Sequence, residues 1–424
     1  MRTFALSALG RRTKAPPISW LMATALAHPK LISLAAGFTD HETLPTEEAR
    51  VLLSQMLGSR HSGEAALQYG STAGDPLLRR LTAERFRALD RAPAKHPAYS
   101  TERILITNGS QQMLYIIAEA LCDPGDIVLV EDPTYFVFLG IVQSHGLRAR
   151  GIRMEQDGLE LAHLEKVLEQ LKRSGELRRV KLLYLVSYFQ NPTGRTTSYE
   201  KKRAALKLLR RYERSAGHPL YLLEDGAYRE LRFNEKDVAS ALTAPEARER
   251  VIYTGTYSKP FATGIRVGYS FLPERLLAPA LHIKGNHDFG TSNLLQQLLA
   301  RALAGLHYEK HVEKLRRRYH HKSEVMLEAL GKHLPKEVKW EVPGGGLYVW
   351  VQLPAALKSG MNSRLFKSAL AEEVLYVPGE LCYAEDASRR RPSHEMRLSF
   401  GAASEKAIRE GIGRLGNAVR RTLG

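Results

Sequence analysis

Between residues 104 and 272, short and almost wholly apolar runs alternate with longer stretches in which apolar residues recur every three or four positions. The apolar runs predict buried strands, and the periodic stretches, such as QQMLYIIAEAL, predict helices. The predicted strands lie in RILITN, DIVLVED, KLLYLV, PLYLLED and VIYTGT. Because strands alternate with helices, the pattern predicts an α/β domain with a doubly wound, mainly parallel sheet.

The pattern changes after residue 305, where a long and highly charged helix is predicted over about 308–330. Two further strand segments, VKWEVPGGGLYVWVQLP and EMRLSFGA, follow together with helices at about 362–373 and 405–419. We therefore expect a large domain over 61–305 and a smaller α+β domain over 306–424. Residues 1–60 are expected to form an N-terminal segment that packs with the small domain.

The stretch TGTYSKPFATGIRVGY, residues 254–269, places hydroxyls, a lysine and an arginine just after a predicted strand. The proline that follows Lys259 disfavours a helical conformation at the lysine, so a turn is expected there. Thr256, Ser258 and Arg266 suit a phosphate dianion, which arginine can bind through two parallel hydrogen bonds. A lysine beside a phosphate suits covalent chemistry on an aldehyde. Pyridoxal 5′-phosphate carries both groups, although a solvated turn would use the same residues.

Polar residues also end other predicted strands. Gly109 and Ser110 join a strand to a helix, which suits either an anion at the helix start or simple capping by the serine. The tetrapeptide NPTG at 191–194 has the composition of a plain turn. Tyr135 follows a strand and suits either the core or stacking on a planar ring. Asp225 ends an apolar strand, where a carboxylate requires a cationic partner.

The net charge of the 424-residue chain is +17, and its basic residues form short runs along predicted helices. Nucleic-acid binding is one interpretation, but the sequence contains no aromatic-interleaved basic patch or nucleic-acid module, so a basic solvated surface is favoured. No apolar run reaches the length of a membrane-spanning helix. The two cysteines, Cys122 and Cys382, have no metal-ligand or redox spacing and indicate a reducing compartment.

The first 39 residues contain no acidic residue and five basic ones, which partly resembles a transit peptide. Residues 18–37, however, have the pattern of a helix followed by a strand and are expected to belong to the fold. We therefore predict a cytoplasmic protein, with a targeting leader over residues 1–15 as the alternative.

Five motifs occur in the order and with the spacing of one family: Gly109-Ser110-Gln111-Gln112, Asn191-Pro192-Thr193-Gly194, Asp225 with Tyr228, Ser258-Lys259 with Arg266, and Arg397. Over nearly its whole length the chain resembles the class I/II aminotransferases of the fold type I pyridoxal-phosphate enzymes. Within them it is most similar to the branch of 2-aminoadipate and aromatic aminotransferases. The resemblance implies a large cofactor-binding domain with a mainly parallel seven-stranded sheet between helices, plus a smaller α+β domain.

The resemblance also implies a role for each motif residue. Lys259 would bind the aldehyde of pyridoxal 5′-phosphate and move the substrate proton, and Asp225 would pair with the ring nitrogen. The remaining cofactor contacts would come from Tyr228 and Asn191 at the ring oxygen, Tyr135 at the ring face, and Ser110, Gln111, Thr256, Ser258 and Arg266 at the phosphate, with Tyr69 from the neighbouring subunit. Arg397 and Asn191 would hold the substrate carboxylate, with Gly37 beside the substrate.

These roles imply a homodimeric aminotransferase that uses an L-amino acid and a 2-oxo acid such as 2-oxoglutarate in ping-pong half-reactions. The expected donors are aromatic, branched or 2-aminoadipate-like. The same site also suits a β-lyase, a racemase or a decarboxylase, because the fold does not fix the reaction. A cofactor-binding sensor module of a transcription regulator is a third interpretation, although only 68 residues precede Tyr69, too few for the DNA-binding domain of such regulators. No metal is expected.

The chain departs from the family branch near Gly37, where Gly-Gly-Leu-Pro is replaced by Ala36-Gly37-Phe38-Thr39-Asp40. That loop lines the side-chain pocket in the family, so the preferred amino acid stays open. Residues 380–394, which contain an RRRP sequence, are expected to form a loop. It either supplies a second arginine for a distal carboxylate or is a solvated basic loop.

Overall fold

The structure is a computed structural model of the chain and describes residues 5–233, 236–305 and 307–423. Residues 1–4 of the expected N-terminal segment and Leu306, at the start of the expected small domain, lie outside this part. The strands are β1 (Ile32–Ser33), β2 (Ile104–Thr107), β3 (Ile127–Asp132), β4 (Arg148–Glu155), β5 (Gly158–Leu159), β6 (Val180–Val186), β7 (Tyr221–Asp225), β8 (Val251–Thr256), β9 (Gly268–Phe271), β10 (Lys339–Trp340), β11 (Tyr348–Gln352), β12 (Val374–Leu375), β13 (Val377–Pro378) and β14 (Glu395–Ser399).

The α-helices alternate with the strands along much of the chain, and short 3₁₀ turns occur between them. They are α1 (Ala8–Arg12), α2 (Pro17–Ala27), α3 (Thr46–Leu57), α4 (Arg60–Leu67), α5 (Pro76–Leu89), α6 (Gly109–Leu121), α7 (Phe136–Ser144), α8 (Leu161–Arg173), α9 (Tyr199–Ala216), α10 (Glu274–Asp288), α11 (Asn293–Ala304), α12 (His307–His333), α13 (Arg364–Ala371) and α14 (Glu405–Leu423). The predicted long helix therefore extends three residues beyond its expected end. Helix α2 begins at Pro17, because proline is well suited to the first turn of a helix.

The largest sheet has the strand order β2-β9-β8-β7-β6-β3-β4-β5. Strands β8, β7, β6, β3 and β4 run parallel, whereas β9 is antiparallel to both of its neighbours and β5 is antiparallel to β4. The mainly parallel seven-stranded sheet implied by the resemblance is confirmed. It is extended by β5, a strand of only two residues.

Strands β2, β3, β7 and β8 are buried along their whole lengths, as in a sheet with both faces covered. This burial explains why the sequence shows continuous apolar runs instead of alternation. The acidic exceptions, Glu131, Asp132, Glu224 and Asp225, all lie at the carboxyl ends of their strands. In an open parallel sheet this is the edge at which ligands bind.

A second, antiparallel sheet in the order β10-β11-β14-β13 lies in the carboxyl-terminal part of the chain. Residues from the amino-terminal part join it through a small parallel sheet, in which Ile32 of β1 is paired with Val374 of β12. Trp20 of α2 also lies near Phe366 of α13, with ring centroids 6.1 Å apart. We propose on this basis that residues 1–60 pack with a small domain over 306–424, beside a large domain over 61–305.

Candidate functional site

The segments that follow β3, β6, β7 and β8 meet around a cavity of about 120 Å³. Parallel neighbours end at the same edge of a sheet, so residues far apart in the sequence come together there. The cavity is lined by Gly109, Ser110, Gln111, Tyr135, Val186, Asn191, Asp225, Ala227, Tyr228, Thr256, Ser258, Lys259, Thr263 and Arg266. It therefore contains every predicted site residue except Gly37, Arg397 and Tyr69.

The side chain of Lys259 reaches this cavity from the turn that follows β8. Its Nζ atom donates a hydrogen bond to the carbonyl oxygen of Gly37 at 2.7 Å. Removal from water, together with the guanidinium groups of Arg266 and Arg397, lowers the pKa of Lys259 to about 8. A lowered pKa increases the neutral fraction of the amine, which is the nucleophilic and basic form, at neutral pH.

Acetylation of Lys259 in the protein without pyridoxal 5′-phosphate is expected to rise with pH around a midpoint near 8. Only the neutral amine reacts, and an ordinary lysine reaches its midpoint at about 10.4. Competitive labelling followed by peptide mass spectrometry measures this midpoint, with Lys207, whose side chain is 63% exposed, as the reference in the same samples. A midpoint above 10 for Lys259 would contradict the proposed environment.

The Asp225 carboxyl lies at the end of β7 and is buried. The Tyr184 hydroxyl donates to its Oδ2 atom at 2.9 Å, and the backbone N–H of Ala227 donates to Oδ1 at 3.0 Å. Burial raises the pKa of Asp225 to about 6, and these two hydrogen bonds oppose the increase. No lysine or arginine of the described ranges pairs with it, so its position suits a cation brought by a ligand, which would keep the carboxyl ionised.

At another part of the cavity, Arg266 and Ser258 lie beside the first turn of α6. Arg266 Nη1 donates to Ser258 Oγ at 3.3 Å. The backbone of Arg266 is left-handed, with φ 51° and ψ 38°, which is uncommon for a residue other than glycine. A Cβ atom on Gly109 would lie 2.8 Å from Arg266 Nη2, so glycine permits this close approach. Hydroxyls, a guanidinium and a helix N-terminus together suit a phosphate group.

Arg397 lies on β14, beyond the cavity lining, and is 1% exposed. Its Nη1 atom donates to Asn191 Oδ1 and its Nη2 atom to the Ala35 carbonyl oxygen, both at 2.7 Å. The guanidinium also lies 4.2 Å from the centroid of the Tyr348 ring. Its Nε atom has no hydrogen-bond partner in the described part of the chain. This buried cation therefore retains a donor for an anionic ligand.

The loop that carries Gly37 is held to the carboxyl-terminal part of the chain by two ion pairs, one of which is fully buried. Asp40 accepts from Lys322 Nζ and from Arg318 Nε, each at 3.1 Å. Lys322 is buried, and breaking its pair would leave an uncompensated charge in the interior. These ion pairs hold the loop in the position at which the Gly37 carbonyl accepts the hydrogen bond from Lys259.

Two sequence predictions concern residues that the cavity does not contain. Tyr69 is 82% exposed and packs against Phe289, with ring centroids 5.3 Å apart. In the loop at 380–394, Arg389 pairs with Asp132 Oδ2 at 2.5 Å, and its two arginine neighbours are exposed. None of the three arginines lines this cavity, but Arg391 lines a neighbouring cavity of about 700 Å³ that shares Gln111 with it, so both interpretations of the loop stay open.

Sequence reasoning missed several residues of the site. Tyr184 binds Asp225, and both Tyr348 and Phe136 face the Arg397 guanidinium. A tyrosine between the leucines of β6 is the available signal for Tyr184, since a buried hydroxyl needs a partner. The two aromatic residues near Arg397 have no such signal, because an aromatic core residue has the same pattern.

Comparison with known proteins agrees with this geometry. The family model described as "Aminotransferase class I and II" matches residues 29–415. The chain belongs to the class I and II aminotransferases. This aminotransferase is 33% identical to aromatic-amino-acid aminotransferase 1 of Thermococcus litoralis, over 93% of this chain and 89% of that one. It is 34% identical to the 2-aminoadipate transaminase of Thermus thermophilus, over 93% of this chain and 91% of that one.

A solved structure of the α-aminoadipate aminotransferase from Thermus thermophilus, complexed with N-(5′-phosphopyridoxyl)-L-leucine, has the same fold. The TM-score is 0.84 at 32% identity, and the match covers 99% of this chain and 98% of that one. This aminotransferase therefore has the fold type I architecture and uses pyridoxal 5′-phosphate. The cavity fits that cofactor, because Asp225 can face a cationic ring nitrogen, Lys259 can reach an aldehyde, and Arg266 can bind a phosphate.

Over the ranges 5–233, 236–305 and 307–423, no group of three or more histidine, cysteine or acidic side chains has the geometry to hold a metal ion. Over the same ranges, no helix is both long enough and apolar enough to span a bilayer.

Proposed function

We propose that this aminotransferase moves the amino group of an aromatic, branched or 2-aminoadipate-like L-amino acid to a 2-oxo acid such as 2-oxoglutarate, in two ping-pong half-reactions. The observation that carries the proposal is that Lys259 and Asp225 line one cavity, while Arg397 is joined to that lining through Asn191. The names of two relatives, an aromatic-amino-acid aminotransferase and a 2-aminoadipate transaminase, support the donor classes.

In this proposal, each side chain acts at a defined place. Arg397 and Asn191 bind the substrate α-carboxylate, which directs the amino group and the Cα–H bond toward Lys259. The neutral amine of Lys259 would take the proton from Cα as a general base and, as the resulting acid, would then donate it to the carbon of the cofactor's former aldehyde group. When bound, pyridoxal 5′-phosphate supplies an electron sink that makes loss of this proton feasible. Asp225 keeps the ring nitrogen cationic and thereby supports that electron sink.

The other predicted residues hold the cofactor in this proposal. Tyr228 and Asn191 contact the ring oxygen, and Tyr135 stacks on the ring face. The phosphate is bound by Ser110, Gln111, Thr256, Ser258 and Arg266, all of which line the cavity. Hydroxyl and guanidinium donors of this kind bind a phosphate dianion strongly, because the hydrogen bonds are charge-assisted.

The surroundings of Arg397 favour donors with an uncharged side chain. Its guanidinium lies over Tyr348 and 5.4 Å from the Phe136 ring, so aromatic surface adjoins the proposed carboxylate site. The distal carboxylate of 2-aminoadipate would need a further cation. Arg389 is already paired with Asp132, and Arg391 lines the neighbouring cavity of about 700 Å³ instead of the site itself. We therefore propose aromatic and branched amino acids as the preferred donors and 2-aminoadipate as a weaker one.

A panel of donors tests this proposal. Initial rates should be measured for aromatic, branched, acidic and 2-aminoadipate donors with 2-oxoglutarate and with pyruvate as acceptors. We expect aromatic or branched donors to have the highest kcat/KM, and double-reciprocal plots at several acceptor concentrations to be parallel. Intersecting plots would contradict the ping-pong mechanism. Ammonia released from a donor without any acceptor would favour a lyase instead.

The variant Gly37→Ala is expected to raise KM for the amino donor by about 10-fold. A Cβ atom on this residue would lie 2.6 Å from the Tyr348 hydroxyl, and such overpacking typically costs roughly 1–3 kcal/mol. Because Tyr348 also packs on Arg397, its displacement would disturb the carboxylate site. Steady-state kinetics measure the effect. The double variant Gly37→Ala, Tyr348→Phe removes the clashing hydroxyl and should recover part of the loss; no recovery would argue against this cause.

We further propose a homodimer with shared active sites, in which Tyr69 reaches the phosphate in the neighbouring subunit. Tyr69, Leu67 and Phe289 are 82%, 69% and 58% exposed, an apolar set that a second copy would cover. Tyr69→Phe should weaken pyridoxal 5′-phosphate binding by about 10-fold, through loss of one hydrogen bond to a charged group. Equilibrium dialysis measures this affinity, and sedimentation should show that the variant is still dimeric. Unchanged cofactor affinity would contradict the role of Tyr69.

A further inference from the structure

Glu131 is a wholly buried carboxyl group that the proposed reaction does not use. It lies next to the last residue of β3 and has no exposed surface. Its Oε2 atom accepts hydrogen bonds from the Val186 backbone N–H and from the Gln190 side-chain amide, both at 2.9 Å. Its Oε1 atom has no hydrogen-bond partner among the residues that the structure describes. A buried carboxyl with two donors on one oxygen and none on the other requires an explanation.

Gln190 connects Glu131 to the turn that begins with Asn191. The Gln190 Oε1 atom accepts from the Thr193 backbone N–H at 3.1 Å and from the Thr193 hydroxyl at 2.6 Å. The Gln190 carbonyl oxygen also accepts from the Gly194 backbone N–H at 2.7 Å. Gln190 is therefore bonded to Glu131 on one side and to the far end of the 191–194 turn on the other.

The orientation of this turn sets the direction of the two polar atoms of the Asn191 amide. Its Oδ1 atom accepts from Arg397 at 2.7 Å, while its Nδ2 atom donates to the Tyr228 hydroxyl at 3.3 Å. We propose that Glu131 is a positioning residue that acts through Gln190 to hold Asn191 in the orientation required at the carboxylate site. The inference rests on the function proposed above for Arg397 and Asn191.

Glu131 acts in this way as a neutral group. Burial raises the pKa of Glu131 to about 8 against the opposing hydrogen bonds from Gln190 and Val186, and the nearby Asp225 carboxyl also raises it. Most Glu131 side chains therefore carry a proton at pH 7, so Asp225 has no second buried anion beside it. A glutamine has the same shape as the neutral acid and can accept the same two hydrogen bonds.

The experiment compares Glu131→Gln, Glu131→Leu and Gln190→Ala with the wild-type holoenzyme at pH 7. Calorimetry measures the dissociation constant of 3-phenylpropionate, a carboxylic acid that has no amino group to transfer. Dialysis measures the dissociation constant of the cofactor, and thermal unfolding measures stability. Tyr308→Phe is the matched control, because it removes one buried hydrogen bond, to Glu230 at 2.8 Å, outside this network.

We expect Glu131→Leu and Gln190→Ala each to weaken 3-phenylpropionate binding by about 10-fold, the usual result of leaving a buried polar group unpaired. Glu131→Gln should bind it within about twofold of wild type. In the other two variants cofactor affinity should fall less than 3-phenylpropionate affinity, because Asn191 supplies only one of the proposed cofactor contacts. The double variant Glu131→Leu, Gln190→Ala should be no worse than either single variant, because both break the same connection.

Normal carboxylate binding by Gln190→Ala would overturn the proposal, even if Glu131→Leu did not fold. A Glu131→Leu variant that melts at a lower temperature but binds 3-phenylpropionate normally would also overturn it. That is the result expected of the control Tyr308→Phe. A wild-type holoenzyme that binds no carboxylate would instead refute the proposed role of Arg397, so the two failures are distinguishable.

Discussion

Replacing Lys259 by alanine is expected to lower kcat by at least about 10³-fold while the cofactor still binds through its phosphate and ring. General acid–base catalysis alone typically contributes about 10²–10⁴-fold, and this variant loses both the base and the covalent attachment. Steady-state rates measure the loss, and equilibrium dialysis measures the bound cofactor. A variant that keeps more than a tenth of the wild-type kcat would show that another group moves the proton.

Lys259→Arg is the matched control for this prediction. Arginine keeps the positive charge beside Gly37 but has no amine that is neutral near pH 8. We therefore expect it to be as inactive as the alanine variant. A small primary amine added to the solution should restore part of the activity of Lys259→Ala, because it can enter the space that the side chain leaves. Restoration of Lys259→Arg by the same amine would argue against this explanation.

Replacing Asp225 by asparagine is expected to lower kcat by about 10²–10³-fold, the usual effect of removing one preorganised electrostatic contact from an active site. Asparagine keeps the shape of the side chain. Its oxygen can accept from the Ala227 N–H, and its amide can donate to the Tyr184 hydroxyl, which can act as an acceptor, so the geometry is preserved. What is lost is the negative charge that keeps the ring nitrogen cationic. Single-turnover kinetics with an aromatic donor measure the chemical step directly.

Glu224→Gln provides the comparison for Asp225→Asn. Glu224 precedes Asp225 in β7, but successive residues of a strand point to opposite faces, and Glu224 is paired with the buried Lys202 at 2.8 Å. Its replacement should lower stability, because Lys202 loses its partner, and leave kcat within about twofold. Equal losses of kcat in the two variants would mean that Asp225 acts only through folding.

The contrast between these two acids shows what the sequence can predict. Two carboxylates at the end of an apolar strand both require cations, and period-two alternation places them on opposite faces. The strand pattern alone does not say which face holds the site. The motif order identified Asp225, and the structure shows that Glu224 already has its cation in Lys202.

Glu131 shows the same signal in the sequence as Asp225. It is a charged residue at the end of an apolar strand, as Asp225 is, so the same rule applies to it. The strands themselves were predictable because burial on both faces gives continuous apolar runs. The strand expected within residues 18–37 is an exception, since it is only two residues long, Ile32–Ser33.

Contacts between distant segments could not be predicted from local pattern. Lys259 and Gly37 are 222 residues apart in the sequence, and Asn191 and Arg397 are 206 apart, yet each pair is joined by a hydrogen bond. These contacts depend on how the amino-terminal loop and the carboxyl-terminal sheet pack on the large sheet. Nothing in the local composition near Gly37 indicates that its carbonyl faces Lys259.

The most direct test of the central claim is the stoichiometry of a single half-reaction. The holoenzyme, free of any 2-oxo acid, should be mixed with an aromatic or branched L-amino acid, and the 2-oxo acid, ammonia and visible absorbance should be measured. We predict one equivalent of 2-oxo acid per protomer, no ammonia, and a complete change in the absorbance of the cofactor. Continued release of ammonia, or no 2-oxo acid from any donor, would contradict amino transfer at the Lys259 site.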